Sequence, residues 1–299
     1  MRNTFVSTLL QLAEANRRLM LVVGDLGFSV VEPFAQRYPE RFLNAGIAEQ
    51  NMAGVAAGLA MAGFHPFVYS IANFPTLRCL EQIRNDIAYH RRSVTIVAVG
   101  GGLGYGPLGY SHHAVQDLAC LRSLPGMLMA TPGDAFETIA VTKVLVAAGR
   151  ASYLRLGKGG EPRVHDAEPV LSQLGPQLVR PGSSRAILAC GNSLSLASKA
   201  AEATGATLLS CPLWDDGQGT REAIRQTASR VERLVVVEEH VAAGGFGSFV
   251  RECLEDFPEL QGRVRCRSLD SAVCDAVGPV ETLLRIGGLT VESISLALQ

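Results

Sequence analysis

Residues 94–113 read VTIVAVGGGLGYGPLGYSHH, and this stretch decides the fold class. Its first six residues are apolar on both faces of an extended chain, as in a parallel strand that helices cover on each side. Residues 100–113, which we call the glycine loop, end in two histidines. Because ligand sites in open α/β sheets lie beyond the carboxyl ends of strands, we expect a buried strand that leads into a functional loop.

The same pattern of helix-like and strand-like segments runs along the whole chain. Further strands are predicted at residues 19–23, 66–69, 127–130, 152–156, 185–190, 206–209, 233–237 and 264–267. Helices are predicted between them, at residues 49–61, 77–89, 134–148, 193–203 and 247–254. Such alternation is typical of α/β layers with parallel strands. We therefore predict two consecutive open, mostly parallel sheets flanked by helices.

A break in this rhythm separates the two predicted sheets. Residues 157–182 contain the run Gly157-Lys158-Gly159-Gly160, four prolines and mixed charge, a composition typical of a linker. We predict a first domain over residues 1–165, a linker over 166–182 and a second domain over 183–299. At roughly 100–200 residues per domain, a chain of 299 residues fits two domains.

Composition excludes several classes of protein. The chain has 27 Lys and Arg against 28 Asp and Glu, so it lacks the positive charge expected of a nucleic-acid or anionic-membrane binder. Its apolar run at residues 19–23 is far shorter than the roughly 20 residues needed to span a bilayer. Seven cysteines without a CxxC pair argue against a disulfide scaffold and fit a reducing compartment. We expect a soluble, cytoplasmic protein.

The stretch NAGIAEQNM at residues 44–52 leads into the helix-like run AGVAAGLAMAG at residues 53–63. Each interior glycine costs such a helix about 1 kcal/mol relative to alanine. Small residues allow another backbone to approach closely, so we expect this helix at an interface between two copies of the chain. Taken alone, Glu49 fits an ordinary first-turn glutamate that the helix dipole favours.

Several other polar and aromatic residues have two interpretations. His112 and His113 are adjacent and point apart, so they do not jointly bind a metal, and no metal site is predicted. One of them suits acid–base chemistry or hydrogen bonding to substrate, and the alternative is a capping or surface histidine. Phe74 alone would be a core residue. The run Arg155-Leu156-Gly157-Lys158-Gly159 suits an anion, or else solvated linker charge.

Together these stretches resemble transketolase and the wider thiamine-diphosphate group that includes 1-deoxyxylulose-5-phosphate synthase. The matching stretches are residues 24–26, 41–52, 109–113 and 155–159, which occur in the order and at the approximate spacing found in that group. The resemblance is to the second half of a transketolase, its pyrimidine-binding and C-terminal domains. The Gly-Asp-Gly motif, by which the family's N-terminal domain holds the diphosphate and Mg²⁺ (or Ca²⁺), does not occur here.

The resemblance therefore implies one subunit of a split transketolase, with thiamine diphosphate as cofactor and a separate N-terminal diphosphate-binding subunit as partner. In that family Glu49 would hydrogen-bond the ring nitrogen of the aminopyrimidine, because a buried carboxyl that shares a proton favours the imino tautomer. Phe74 resembles the aromatic residue that stacks on the pyrimidine. Asp25 resembles a residue on the cofactor side of the interface.

The resemblance also assigns substrate contacts. His112 resembles the histidine that contacts sugar oxygens. Three further residues stand where the family has side chains that bind a sugar phosphate, namely Arg2, Ser29 and Lys158. Lys158 stands in for an arginine, which keeps the charge but loses bidentate geometry.

Two residues depart from the family. Leu108 replaces an aspartate and Gly100 replaces a second sugar-binding histidine. Both changes remove polar contacts to a sugar, which puts the usual pentose-phosphate substrates in doubt.

The resulting hypothesis is transfer of a two-carbon ketol unit from a ketose phosphate to an aldose. We expect a dimer of this chain within an α2β2 heterotetramer. One alternative is the β subunit of a 2-oxoacid dehydrogenase E1 component, which shares the architecture and the cofactor glutamate. The other is a non-catalytic regulatory subunit of the same fold.

Overall fold

Two sheets follow each other along the chain in the computed structural model, which describes all residues from 1 to 299. The first has seven strands, β1 (Leu19–Val23), β2 (Phe42–Asn44), β3 (His65–Ile71), β4 (Thr95–Val99), β5 (Leu128–Ala130), β6 (Ser152–Leu156) and β10 (Leu213–Trp214). The second has five, β7 (Gln177–Arg180), β8 (Arg185–Cys190), β9 (Thr207–Ser210), β11 (Arg233–Val241) and β12 (Val264–Leu269). The predicted fold class is confirmed.

The order of the first sheet is β10-β5-β6-β4-β3-β1-β2, and all its pairs are parallel except β10 with β5. Strand β4, predicted from the opening stretch, lies at its centre between β3 and β6, and all five of its residues are buried. This is the covering that a run apolar on both faces requires. Sequence reasoning did not predict β10, which comes from the second half of the chain.

The order of the second sheet is β12-β11-β8-β9-β7, again parallel except at one edge, where β7 runs antiparallel to β9. Strand β7 falls within residues 166–182, which the sequence assigned to a linker. The stretch therefore contains an edge strand. Its composition hid the strand because Pro176 and Pro181 bracket only four residues.

Helices cover both sheets, namely α1 (Arg2–Ala15), α2 (Glu32–Arg37), α3 (Glu49–Met61), α4 (Leu80–Gln82), α5 (Asp117–Arg122), α6 (Ala135–Ala148), α7 (Leu194–Thr204), α8 (Gln218–Ser229), α9 (Phe246–Cys253), α10 (Pro258–Gln261), α11 (Val280–Ile286) and α12 (Val291–Ala297). The helix predicted at 77–89 is irregular, because a 3₁₀ turn precedes α4 and a π-helix, Ile83–Ala88, follows it. None of the helices has both the length and the apolar character needed to cross a bilayer.

One apolar core spans the two sheets. It includes Val68 and Ile96 of the first sheet together with Leu188 and Val236 of the second. Trp214 lies in this core, with its ring stacked on Phe249 at a centroid distance of 5.0 Å. The two halves of the chain therefore share buried surface and are not independent along their contact.

The chain after β6 is attached to the first domain by the N-terminus of α6. Asp134 caps this helix by accepting from Glu137 N at 2.9 Å, and its other carboxylate oxygen accepts from the backbone of Val164 and His165. Glu137 is buried, and only one of its carboxylate oxygens has a hydrogen-bond partner, Gly133 N. Burial raises the pKa of Glu137 to about 7.

Replacing Glu137 by glutamine tests this buried ionisation. Because the folded pKa of about 7 exceeds the ordinary 4.5, the unmodified chain should lose stability as the pH rises from 4.5 through 7. Glu137→Gln should escape this loss, so its free energy of unfolding relative to the unmodified chain should be higher by about 3 kcal/mol at pH 8 but by less than about 1 kcal/mol at pH 5. Urea unfolding at both pH values measures the effect, with exposed Glu14→Gln as the control. Equal pH slopes for all three proteins would contradict this account.

Candidate active site

Four neighbouring strands of the first sheet, β6, β4, β3 and β1, are mutually parallel, so their carboxyl ends share one edge. Residues singled out from the sequence follow each of them, with Asp25 and Ser29 after β1, Phe74 after β3, His112 after β4 and Lys158 after β6. Glu49 begins α3, which follows the adjacent strand β2. The topology therefore gathers residues that are far apart in sequence, at the edge where open α/β sheets bind ligands.

Glu49 is almost fully buried at the first turn of α3, where the helix dipole favours a negative charge. Its carboxylate oxygen Oε2 accepts from Arg78 Nη1 at 2.9 Å. The same guanidinium lies over the Phe74 ring, 4.7 Å from its centroid. Glu49 and Phe74 thus face one small space, and the flat, positively charged guanidinium of Arg78 fills it.

His112 contacts Phe74 in turn, so Glu49, Phe74 and His112 form a row. The two rings meet edge to face with centroids 5.3 Å apart, and Ser111 Oγ lies 2.9 Å from His112 Nδ1. Burial, together with the neighbouring His113, lowers the pKa of His112. The imidazole is therefore neutral near pH 7, with one nitrogen that donates and one that accepts a hydrogen bond.

His113 has a different environment. Its side chain is fully buried, and Nε2 lies 3.3 Å from the carbonyl oxygen of Gly106 within the glycine loop. Of the two adjacent histidines, only His112 faces Phe74 and the open edge of the sheet.

Tyr105 and two cations complete the row. The Tyr105 ring lies 6.1 Å from the His112 ring, and Lys158 Nζ lies over the Tyr105 ring at 4.9 Å from its centroid. Arg2 begins α1 and comes close to Gly159, next to Lys158. No ion pair joins Arg2 or Lys158 to a carboxylate, so the two positive charges are available to an anion.

Arg155 does not belong to this anion site, although the sequence placed it there. It is buried and donates from Nε to Asp117 Oδ2 at 2.7 Å. As a residue of β6 it points into the molecule, whereas Lys158 lies beyond the end of the strand. Of the cations considered for an anion, Arg2 and Lys158 are therefore the two without a carboxylate partner.

Asp25 and Ser29 lie in the exposed loop after β1, and both adopt positive φ angles, 56° and 65°. Asn44 Nδ2 donates to Asp25 Oδ1 at 2.9 Å, and Ser29 N donates to Glu32 Oε1 at 2.7 Å. These bonds stabilise a backbone conformation that non-glycine residues rarely adopt. Neither side chain hydrogen-bonds to Glu49, Phe74, His112 or Lys158.

Sequence reasoning gave no role to two residues of this row, Arg78 and Tyr105. Arg78 follows Phe74 by four positions, the spacing that brings side chains together on a helical turn, and this signal could have found it. Tyr105 is an aromatic residue within the glycine loop, and its ring fills the space that a side chain at Gly100 would need. No group of three or more His, Cys, Asp or Glu side chains is arranged to hold a metal ion.

Comparison with known families identifies both domains. The transketolase pyrimidine-binding domain matches residues 1–160, and the transketolase C-terminal domain matches residues 176–294. A split-gene transketolase solved as an inactive β4 tetramer superposes with a TM-score of 0.84 at 31% identity, covering 100% of this chain and 96% of that one.

Curated relatives agree with these matches. A subunit of the apulose-4-phosphate transketolase of Phocaeicola vulgatus is 36% identical over 86% of this chain and 84% of its own length. The putative transketolase C-terminal section of Methanocaldococcus jannaschii is 31% identical over 99% of this chain and 94% of its own. A subunit of the 6-deoxy-6-sulfo-D-fructose transketolase of Clostridium sp. is 31% identical over 98% and 92%.

The likenesses extend to longer proteins. The 1-deoxy-D-xylulose-5-phosphate synthase of Desulforudis audaxviator is 32% identical over 97% of this chain but only 46% of its own length. These relatives do not favour the β subunit of a 2-oxoacid dehydrogenase. The chain belongs to the transketolase family, in which it corresponds to the pyrimidine-binding and C-terminal domains.

Proposed function

We propose that this chain is one subunit of a thiamine-diphosphate-dependent split transketolase, which transfers a two-carbon ketol unit from a ketose phosphate donor to an aldose acceptor. The observation that carries the proposal is the row formed by Glu49, Phe74 and His112, with an anion site at its far end. In this order a carboxyl and an aromatic face can hold a cofactor, an imidazole can contact the sugar, and cations can hold a phosphate.

The contacts of Arg78 support an aminopyrimidine between Glu49 and Phe74. The guanidinium is planar, donates an N–H to Glu49 and lies over the Phe74 ring. A protonated aminopyrimidine ring offers the same features, a flat face and an N–H donor in its plane. Because about half of the Arg78 side chain is exposed, it can turn into solvent when the pyrimidine takes these contacts.

When bound, thiamine diphosphate supplies a carbanion nucleophile. Glu49 would hydrogen-bond the pyrimidine ring nitrogen, and its burial would keep water from that hydrogen bond. Phe74 supports the ring from one face. His112, neutral near pH 7, can donate a proton to or accept one from a sugar oxygen during cleavage and addition. Asp25 is the proposed residue on the cofactor side of the interface. The preceding residue, Gly24, lies close to the side chain of Glu49, which brings the loop after β1 near the proposed cofactor position.

Arg2 and Lys158 are the proposed phosphate ligands, with Ser29 as a hydroxyl contact. Neither Arg2 nor Lys158 forms an ion pair within the chain, and Arg2 comes close to Gly159, next to Lys158, so the two charges lie near each other. Lysine offers a point charge and not a bidentate fork, so it tolerates variation in the position of the anion.

Leu108 and Tyr105 support an altered sugar specificity. The Leu108 side chain is 55% exposed near His112 and cannot hydrogen-bond a hydroxyl. Tyr105 occupies the space beside Gly100, where the family has a histidine. We propose that the donor or acceptor lacks a hydroxyl or carries a substituent where ordinary pentose phosphates have one. The two split relatives named above for apulose 4-phosphate and 6-deoxy-6-sulfofructose show that their own sugars differ from these pentoses.

The proposed partner is a separate N-terminal subunit that binds the diphosphate together with Mg²⁺ or Ca²⁺. The absence of a Gly-Asp-Gly motif in this chain supports it. We further propose an α2β2 heterotetramer built around a dimer of this chain. A cytoplasmic location is supported by seven cysteines that are all free thiols.

Glu49→Ala tests the cofactor role. In the complex reconstituted with its partner subunit, we expect loss of ketol transfer by at least about 100-fold and weaker binding of thiamine diphosphate by calorimetry. Exposed Glu81→Ala is the matched control and should retain both. Full turnover by Glu49→Ala would refute the proposal. If the unmodified complex binds no thiamine diphosphate, the non-catalytic regulatory subunit becomes the better interpretation.

Lys158→Ala tests the anion site. We expect KM for a ketose phosphate to rise about tenfold, with kcat little changed, because a charge contact that is equal in ground and transition states affects KM alone. KM for the unphosphorylated ketose should not change. Lys158→Arg should retain most of the affinity, and exposed Lys199→Ala is the control. An equal effect on phosphorylated and unphosphorylated donors would contradict a phosphate contact.

The exposed face of α3 leads to a prediction about assembly. A side chain at Gly54 or Gly58 would meet nothing within 4 Å, and Met61 on the same face is 68% exposed. Light scattering should find a dimer that Gly58→Arg dissociates and Gly58→Ala leaves intact. Both changes raise helix propensity by about 1 kcal/mol, so unfolding is not an alternative explanation. An unmodified chain that remains monomeric at high concentration would argue against the dimer.

A further inference from the structure

We propose that Glu239, in the second domain, is a positioning residue that fixes the shape of the glycine loop and thereby the place of His112. The inference rests on the proposed function, because it concerns the loop that would contact the sugar. All other residues of the candidate site belong to the first domain. The inference therefore gives the second domain a part in setting the geometry of that site.

The Glu239 carboxylate directly contacts the first arm of the glycine loop, the part that includes Gly102 and Leu103. Glu239 lies near the end of β11 and is almost fully buried. Its Oε1 accepts from Leu103 N at 3.0 Å. The carboxylate also lies against Gly102, so closely that a Cβ there would come within 2.5 Å of Glu239 Cδ. Two constraints therefore favour glycine at position 102. Glu239 occupies the space that a side chain would need, and the backbone has a positive φ of 69°.

The second arm of the loop is tied to the same residue. Gly102 and Ala114 exchange two backbone hydrogen bonds, of 2.9 Å and 2.8 Å, that close the loop at its base. Arg155 Nη2 donates both to the carbonyl oxygen of Ala114, at 2.6 Å, and to that of Glu239, at 3.0 Å. Side chain and main chain of Glu239 thus act on the two arms between which His112 lies.

Other contacts complete the frame around the loop. Asn192, also in the second domain, donates from Nδ2 to the carbonyl oxygen of Gly101 at 2.9 Å. From the first domain, Asn73 Nδ2 donates to the carbonyl oxygens of Ser111 and His113, on each side of His112. Between these anchors the loop has two short 3₁₀ turns and the contact of His113 Nε2 with the Gly106 carbonyl oxygen. These internal contacts give the loop local order, and the external hydrogen bonds fix its position against the two domains.

A displaced loop would move the imidazole of His112. Without Glu239 the buried Leu103 N–H has no acceptor, and the backbone must shift to reach water or another oxygen. A misplacement of about 1 Å at a reacting group can lower a rate about 100-fold. Glu239 therefore affects catalysis without contacting substrate or cofactor.

The preceding residue, Glu238, provides a matched control. It is the same residue type on the same strand, it is equally buried, and it points to the opposite face of the sheet. Its carboxylate accepts from Phe246 N and Gly247 N at the start of α9 and from Ser268 Oγ of β12, all away from the loop. Loss of either carboxylate removes buried hydrogen bonds, but only Glu239 serves the glycine loop.

The experiment compares Glu239→Ala, Glu239→Gln and Glu238→Ala in the full chain and in the complex with its partner subunit. Hydrogen exchange of the full chain should show faster exchange within residues 100–113 for Glu239→Ala only. In the complex, kcat for ketol transfer should fall about 10- to 100-fold for Glu239→Ala, with a smaller change in KM. Glu239→Gln should recover most of both, because its amide oxygen still accepts from Leu103 N.

Two results would overturn the inference. One is unchanged loop exchange in Glu239→Ala, and the other is an equal loss of kcat in Glu238→Ala at matched thermal stability. If Glu239→Ala fails to fold, Glu239→Leu replaces it, because leucine keeps much of the volume but cannot accept from Leu103 N, and unchanged loop exchange in Glu239→Leu then refutes the inference. If the unmodified complex transfers no ketol unit, the proposed function fails, while hydrogen exchange still decides whether Glu239 holds the loop.

Discussion

The ion pair between Arg155 and Asp117 is the interaction on which the arrangement of this molecule depends. Both side chains are buried, at 2% and 0% exposure, and Tyr153 donates to the same carboxylate. Burial alone would raise the pKa of Asp117. The charge of Arg155 outweighs this effect, and the pKa is lowered. A buried pair of this kind is tolerated only when further hydrogen bonds satisfy both groups. Those further bonds are the ones that join the sheets to the glycine loop.

From this pair the geometry of the candidate site follows in steps. Arg155 belongs to β6, and its remaining donors bind the base of the glycine loop and the end of β11. The loop in turn carries Tyr105 and His112 next to Phe74, which follows the neighbouring strand β3. The charge of Arg155 that looked available for an anion is therefore used to hold the two domains and the loop together, whereas Lys158, three residues later, has no carboxylate partner.

The features that could be predicted from the sequence are those encoded locally. Buried parallel strands read as continuous apolar runs, and Glu49, Phe74 and His112 stand in motifs whose order survives in the chain. Features that depend on tertiary contacts could not be predicted. The strand Leu213–Trp214 is too short to show a period, and the strand Gln177–Arg180 lies between prolines in a stretch that looks like a linker. The contact of Glu239 with Leu103 joins residues 136 positions apart, and nothing local signals it.

The strand Leu213–Trp214 has a consequence for the order of events during synthesis. It pairs with β5 at the edge of the first sheet, yet it lies more than fifty residues beyond the last of that sheet's other strands. Until the ribosome has released residue 214, the backbone of β5 has an open edge, and such edges pair readily with other chains. The first domain therefore cannot reach its final form as it leaves the ribosome, and must wait for part of the second.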